Sequence, residues 1–427
     1  MLSLSLGLLL ASLAGGIAIG AIAGLLPGVH VNNTSALLLG LAPAMAASGV
    51  GPLYVAVAIV TSTVAQSFLD IVPSIFLGAP DDATVLAVMP GHRMLLDGRG
   101  IEAVRLSAAG SGLAIVASLL LILPLSLVFE FAYPVMWDHM ALILAAISAF
   151  VILSNGRGSP FSDPAAIVRI GQGAFIFASA SLLGVLSFAA EPALVPVIGI
   201  AEPTVLLPLL SGLFGAPLLF LSASSEPEVP RQAHHDFSLE GRQIGKAALM
   251  GTVAGAMVSW FPAVSAGVAT TVTSMFAQRD EDADRRYLIA VSGVNTANAI
   301  FSLVALYVIG RPRSGAVAAA QEVLGGTIGY DVFVFFLAVV CVSGVVSYLL
   351  TLAAGGWAAE AFSRVNYRYM NRGVLLFLGA MCLLMAGAAG LALFLVAAAV
   401  GMAAHLLNVK KTCLMGVLLV PCILYFV

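Results

Sequence analysis

Asp70 is the side chain with the most telling setting. It lies inside an otherwise apolar stretch, TSTVAQSFLDIVPSIFL, with Gln66 four residues and Thr63 seven residues before it. Spacing by fours and threes puts the three on one helical face. A carboxylate, a carboxamide and a hydroxyl converging at membrane depth suit a cation or a proton, with Asp70 as ligand or proton carrier. The plainer alternative is an acid near a helix end that holds neighbouring backbone. Asn295 and Asn298, three residues apart in a later apolar stretch, also share a face. Their carboxamides can offer oxygens to a cation and N–H groups to an anion, or simply bond between helices.

A second polar group sits at a break. Residues 14–45 read as a Gly-rich apolar helix interrupted at Pro27-Gly28, followed by His30, Asn32, Asn33, Thr34 and Ser35. No Asp, Glu, Lys or Arg precedes Asp70. Polar backbone in such a surround is tolerated only where it lines a cavity or is buried in protein. A half-helix starting after the break would point free N–H groups at an anion, and His30 could donate to it or titrate. The alternative is that these residues only cap helix ends.

The elements that must position these groups are membrane helices. The chain is 61% hydrophobic and 9% charged, against about 25% charged in a soluble domain. Apolar runs of crossing length recur throughout. They are continuous rather than alternating, which excludes a β-barrel. The fold class is an all-α polytopic membrane protein. A net charge of −3 gives no reason to expect nucleic acid. Cys341, Cys382, Cys413 and Cys422 stand singly in apolar segments, without metal or redox spacing. No basic leader precedes the first apolar run, so residues 2–25 read as a retained helix.

Spans fall near 2–25, 51–78, 104–129, 138–154, 168–189, 204–223, 245–262, 287–310, 329–356, 373–388, 390–407 and 412–427. Several are short for a crossing, so roughly ten to twelve helices are expected. Segments 27–45 and 262–278 follow Pro breaks and read as re-entrant or discontinuous. Arg93, Arg99, Arg105, Arg157, Arg169, Arg231, Arg242 and Lys246 alternate with acidic loops. With 27–45 re-entrant, the positive-inside rule places the N-terminus in the cytoplasm of a multi-pass cell-membrane protein. Arg279 to Arg286 then sit inside only if 262–278 makes a net crossing, which leaves Arg311 and Arg313 outside. The polar stretch 224–246 divides a first half, 1–223, from a second, 247–427, and reads as a cytoplasmic linker. Its His234, His235 and Asp236 read as solvated, because no spacing partner for a metal is evident.

The two halves repeat. Gly16, Gly20 and Pro27 recur as Gly251, Gly255 and Pro262, with the same spacing and with Ser265 at the place of His30. Gly78-Ala79-Pro80 recurs as Gly310-Arg311-Pro312, which pairs Thr63 with Asn295, Gln66 with Asn298 and Asp70 with Ser302. Small residues at such spacing are common in membrane helices, but two linked matches in the same order point to duplication. Duplicated halves with Gly/Pro-broken segments in corresponding places point to a secondary transporter. Asn32 to Ser35 would line one wall of its site, and Ser265, Thr270 and Thr271 the other.

Several of these residues carry a family likeness. GLLPGVHVNN resembles the first signature of the TctA-type permeases, the large membrane subunit of tripartite tricarboxylate transporters. It is closer still to their shorter archaeal relatives, with a motif of the type P-G-(L/V)-H-x-N. In GAPDDATVLAVMPGHRMLLDGRGIEA, residues Gly78, Pro80, Ala83, Thr84, Gly91, Met94, Gly98, Arg99, Glu102 and Ala103 match two further family segments. GLFGAP at 212–217 is similar as well. The chain departs from the family at Pro90-Gly91, where Asp-Gly is usual, and at Pro262-Ala263 in place of a second Pro-Gly. The resemblance implies a permease for small organic anions, di- or tricarboxylates, coupled to H⁺ or Na⁺. Its only implied bound ion is Na⁺. In tripartite systems a small membrane subunit and an extracytoplasmic binding protein assist; a homo-oligomer is also compatible with the sequence.

Two other functions fit parts of the sequence. The Pro-Gly-Val break also resembles a family proposed to carry polyprenyl phosphate, a lipid-linked anion that would need a lateral opening to lipid. An intramembrane enzyme would need more than His30 and Asp70: no H-E-x-x-H, G-x-S-x-G or nucleotide loop is present, so no enzyme is expected. Arg93, Arg99 and Arg105 with His92 read as a topology determinant, residues 278–286 as a solvated loop, and Trp137, Trp260 and Trp357 as interfacial anchors.

Overall fold

The computed structural model describes residues 5–26, 29, 31–77, 88–156, 164–198, 204–224, 230–233, 239–260, 282–362 and 367–427. Among them there is no strand. The first half contains α1 (Leu6–Leu25), α2 (Val31–Ala47), α3 (Pro52–Leu69), α4 (Ile71–Phe76), α5 (Val88–Leu96) and α6 (Gly100–Asp138). It continues with α7 (Met140–Leu153), α8 (Pro164–Ala190), α9 (Leu206–Leu210) and α10 (Ala216–Ser224), the last two joined by a π turn. The second half contains α11 (Gly241–Val258), α12 (Ala283–Ile309), α13 (Gly315–Leu324), α14 (Tyr330–Phe362), α15 (Tyr367–Leu406) and α16 (Gly416–Phe426). Seven described helices are long and apolar enough to cross a bilayer. The pair of spans read at 373–388 and 390–407 is α15, broken at Gly387, whose φ of 71° is open to glycine. The backbone amides of Val197 and Ile198 donate to the Leu384 carbonyl freed at that break, at 2.9 and 3.1 Å.

Glycines set the closest helix pairs. A Cβ on Gly16 would collide with the Ala58 carbonyl oxygen, and one on Gly20 with that of Ser62. Further along, Gly24 faces Gln66, Leu69 and Asp70. Contacts that advance together along both helices mean that α1 and α3 run parallel. The Ser5 amide, which donates to the Tyr54 hydroxyl at 2.7 Å, ties their starts together. α2 therefore carries the chain back from the Asp70 end to the Tyr54 end. This corrects the re-entrant reading of 27–45. It also puts Ser5 and the Arg93–Arg105 region at opposite faces. The same geometry recurs between α11 and α12, where Gly251 meets the Ala290 carbonyl and Gly255 that of Val294. α11 and α12 are thus parallel too, with Lys246 and Arg285 at one face.

α3 and α12, the central helices of these two pairs, run antiparallel to each other. The Asn295 amide reaches Ser67 and Asp70 late in α3, whereas Ile59, Val60 and Thr63 share a small apolar cavity with Ala299, Ile300 and Leu303. Each long helix then packs on the other half. Gly110 of α6 lies on the Ile289 backbone of α12, and Ser343 of α14 donates to the Thr61 carbonyl of α3. A second bundle of α7, α8, α9, α15 and α16 shares a core that includes Leu144, Ile176, Leu213 and Val417 and reaches Val258 of α11 and Val294 of α12.

Trp260 is not an interfacial anchor. It is fully buried, stacked on Phe129 at 4.4 Å between ring centroids. The aromatic tail of α6, Phe129 and Tyr133, covers it.

Candidate functional site

The site begins where α3 stops. Asp70 follows its last turn and precedes α4, and its backbone N–H donates to the Gln66 carbonyl. Pro73 lacks an N–H, so the helical ladder lapses here; the Ser74 hydroxyl donates to the Asp70 carbonyl at 2.8 Å. The Asp70 side chain is buried. Its Oδ2 accepts from Asn295 Nδ2 at 2.8 Å, and the same amide leans on the Ser67 carbonyl at 3.4 Å. One residue from each half therefore meets at the crossing of the two central helices.

Gln66 extends the cluster to the first break. Its Nε2 donates to the Val29 carbonyl at 2.6 Å. Its Oε1 is buried without a hydrogen-bond donor among the described residues, an open acceptor of the kind that ligands or waters complete. Asn298, partly buried, lies one turn beyond Asn295. Thr63 is spent differently: its hydroxyl donates to the Ile59 carbonyl at 2.9 Å, and it faces the small apolar cavity. Thr63 therefore does not converge with Gln66 and Asp70 on one polar group.

The polar run after the break is partly described. Thr34 and Ser35 are buried, and both hydroxyls donate to the Val31 carbonyl, at 2.9 and 2.8 Å. These are back-bonds within the helix rather than capping bonds, and they leave the oxygen lone pairs as acceptors. The Asn32 carboxamide lies against Gly315, at the start of α13. Pro27, Gly28, His30, Pro262, Ser265, Thr270 and Thr271, and the side chain of Asn33, lie outside the described residues. So do His234, His235 and Asp236; among the described residues no three His, Cys, Asp or Glu side chains form a metal cluster.

Two charged groups flank this site along α12. At its start, the buried Glu102 accepts from Arg99 Nε at 2.6 Å and from Arg285 Nε at 2.9 Å. Arg285 also pairs with Asp282, and Arg93 with Asp284 at 2.7 Å. The acidic-basic run around 282–286 is thus docked rather than solvated. Part of the linker docks beside it: Gln232 accepts from the Gly100 amide at 2.7 Å, and the Ala233 amide donates to the Gly98 carbonyl at 3.0 Å. The Glu102–Arg285 bridge is not legible in the sequence because its partners are 183 residues apart. The presence of Glu102 three residues after Arg99 was the available signal. Beyond the end of α12 lie Arg311 and Arg313. Asn295 is ten residues from Arg285 and fourteen from Ile309, roughly 15 Å and 20 Å along the helix.

Residues 10–416 match the tripartite tricarboxylate transporter TctA family. The chain belongs to that family. An uncharacterized protein of Methanocaldococcus jannaschii is 26% identical over 418 residues, covering 96% of this chain and 97% of the relative. No solved structure matches. Within the TctA-type sequence, Gly98, Arg99 and Glu102 acquire a structural meaning. Gly98 takes a φ of 77°, which turns the chain so that Arg99 and Glu102 can pair and Arg285 can close on them.

Proposed function

We propose that this TctA-family permease is a secondary transporter of a small organic anion, a di- or tricarboxylate, coupled to H⁺ or Na⁺. The observation that carries it is the Asp70–Asn295 pair, buried where antiparallel helices of the two halves cross. A carboxylate at membrane depth costs several kcal/mol unless compensated. A proton or Na⁺ supplies that compensation, with the Gln66 Oε1 and the Ser67 carbonyl as neutral oxygens nearby. Release of the cation restores the cost, which links ion movement to conformational change. The matched Gly16/Gly20 and Gly251/Gly255 contacts support two duplicated halves, 1–223 and 247–427, and the opposed run of α3 and α12 supports an inverted relation between them. Such halves move against each other in alternating access.

Placing the arginine-rich end of α6 and α12 in the cytoplasm follows the positive-inside rule. With that orientation, the parallel run of α1 and α3 supports an N-terminus on the opposite side of the cell membrane. Membrane lipids surround the chain, and a binding protein and small subunit of the tripartite type, or a second copy, would be its protein partners.

A lipid-linked phosphate is the second reading. An outward apolar groove of about 650 Å³ runs between α10 and both arms of α15, past Phe220, Leu376, Leu383 and Leu395. Leu77, just beyond α4, packs against the neighbouring core. A thermal-shift screen separates the two. Purified protein is heated with citrate, succinate, amino acids or a prenyl phosphate, each with and without Na⁺. A bound ligand raises stability. A rise with a carboxylate supports the first reading; a rise only with the prenyl phosphate overturns it.

A further inference from the structure

We infer that Arg311 and Arg313 form an oxyanion-binding site beside α13, separate from Asp70 and Asn295, that receives the anion on its way to or from the crossing. This rests on the reading that the cargo is an anion. Gly310 ends α12 in a left-handed turn, and the chain runs through Arg311-Pro312-Arg313-Ser314 into α13. The first turn of α13 is deep: Ala316 and Val317 share the small cavity with Ile59 and Thr63 of α3 and Ile300 of α12. The two arginines thus lead directly into a half-helix that starts among the middle turns of the central helices.

Both guanidinium groups sit on one aromatic platform from the end of α6. Arg311 lies 4.4 Å from the Trp137 ring centroid. Arg313 lies 4.9 Å from that of Tyr133 and 5.7 Å from that of Trp137, and it donates to the Tyr133 hydroxyl. Two like charges sharing one indole repel. Among the described residues neither has a carboxylate partner, Glu130 and Asp138 of the same helix included, and Arg313 Nε is buried without an acceptor. Arginine in that state, with its planar fork still offering N–H groups, suits a carboxylate or phosphate. The Ser314 hydroxyl accepts from the Val317 amide and caps α13. The Asn32 carboxamide abuts Gly315, so the site ends at the polar run that follows the first break. In the corresponding place the first half has Ala79-Pro80-Asp81, so the cationic pair belongs to one half alone.

The protein has three tryptophans. Trp137 is in the platform, and Trp260 stacks edge-on to Tyr133 at 6.2 Å, so indole fluorescence reports on the site. Citrate, succinate and inorganic phosphate are titrated into protein in phosphatidylcholine nanodiscs at constant ionic strength. The same protein is compared in nanodiscs containing phosphatidylglycerol. A saturable change in phosphatidylcholine identifies a soluble oxyanion; a change that appears only with phosphatidylglycerol identifies a lipid headgroup phosphate. In either case Arg313→Gln should weaken the response roughly ten- to a hundred-fold, Arg313→Lys should weaken it less, and Asp70→Asn should leave it intact. Lysine also controls for folding by keeping the charge. No change with any of these anions or lipids, or an Arg313→Gln titration equal to wild type, overturns the site. A response lost with Asp70→Asn but kept with Arg313→Gln assigns the anion to the helix crossing instead.

Discussion

The two ends of α12 carry arginines in opposite circumstances. At the start, Arg285 shares the buried Glu102 with Arg99 and takes Asp282 as well. Beyond the other end, Arg311 and Arg313 have aromatic rings and a tyrosine hydroxyl in place of carboxylates. The first arrangement is closed electrically and joins α6 to α12, one helix from each half. The second is left with charge to spare. Arginine identity alone therefore says little about role; the acids brought to it decide whether it braces the fold or waits for a ligand.

The largest effect should come from opening the compensated end. Glu102→Ala leaves two arginines facing a buried gap, and removing one partner of a buried pair costs about 3–5 kcal/mol. Its thermal transition should drop well below that of every other variant described here. A Glu102→Ala protein as stable as wild type would erase the distinction between the ends. Next comes the packing that holds the ends apart. Gly255→Val drives a side chain into the Val294 backbone, and overpacking of this kind costs about 1–3 kcal/mol. Gly20→Val should cost a similar amount, because its contact with Ser62 is the same. A cost for one and none for the other would count against equivalent helix pairs.

Arg311→Gln should be milder, because an exposed cation–π contact contributes about 0.5–1 kcal/mol. Loss of stability on the scale of Glu102→Ala would show that Arg311 is a brace after all. The smallest effect is a pH dependence at the compensated end. Burial, with the charge of Lys411 adding to it, lowers the His92 pKa from 6.5, and the contact with the Ile75 carbonyl offsets only part of that shift. Between that lowered value and 6.5 the unfolded chain binds a proton that the folded one does not, so stability should fall as pH drops below 6.5. Thermal scans of His92→Gln should show a shallower decline over that window than wild type.

Much of the helical architecture was legible from composition, and the break in α15 was legible as two short spans. Asp70 and Asn295 were each legible as polar groups in apolar helices. Their meeting was not. Aligning the repeats makes Asn295 the counterpart of Thr63, whereas an antiparallel crossing brings it to Asp70, just past the end of α3. Thr34 and Ser35 stood out as polar, yet only backbone geometry shows their hydroxyls turned to Val31. The positive-inside count treats Arg311 and Arg313 only as charges left outside if 262–278 crosses, because counting cannot see Tyr133 and Trp137 arriving from α6. Trp260 failed as an anchor for the same reason: its cover, Phe129, is distant in the chain.

The central claim is that Asp70, held by Asn295, couples an ion to anion movement. The direct measurement is uptake of labelled citrate or succinate into proteoliposomes under an imposed Na⁺ or proton gradient, for wild type and Asp70→Asn. Wild type should accumulate anion only with the gradient, and Asp70→Asn should lose gradient-driven accumulation while still quenching tryptophan fluorescence on anion binding. Asp70→Asn uptake with its full ion dependence would contradict the account.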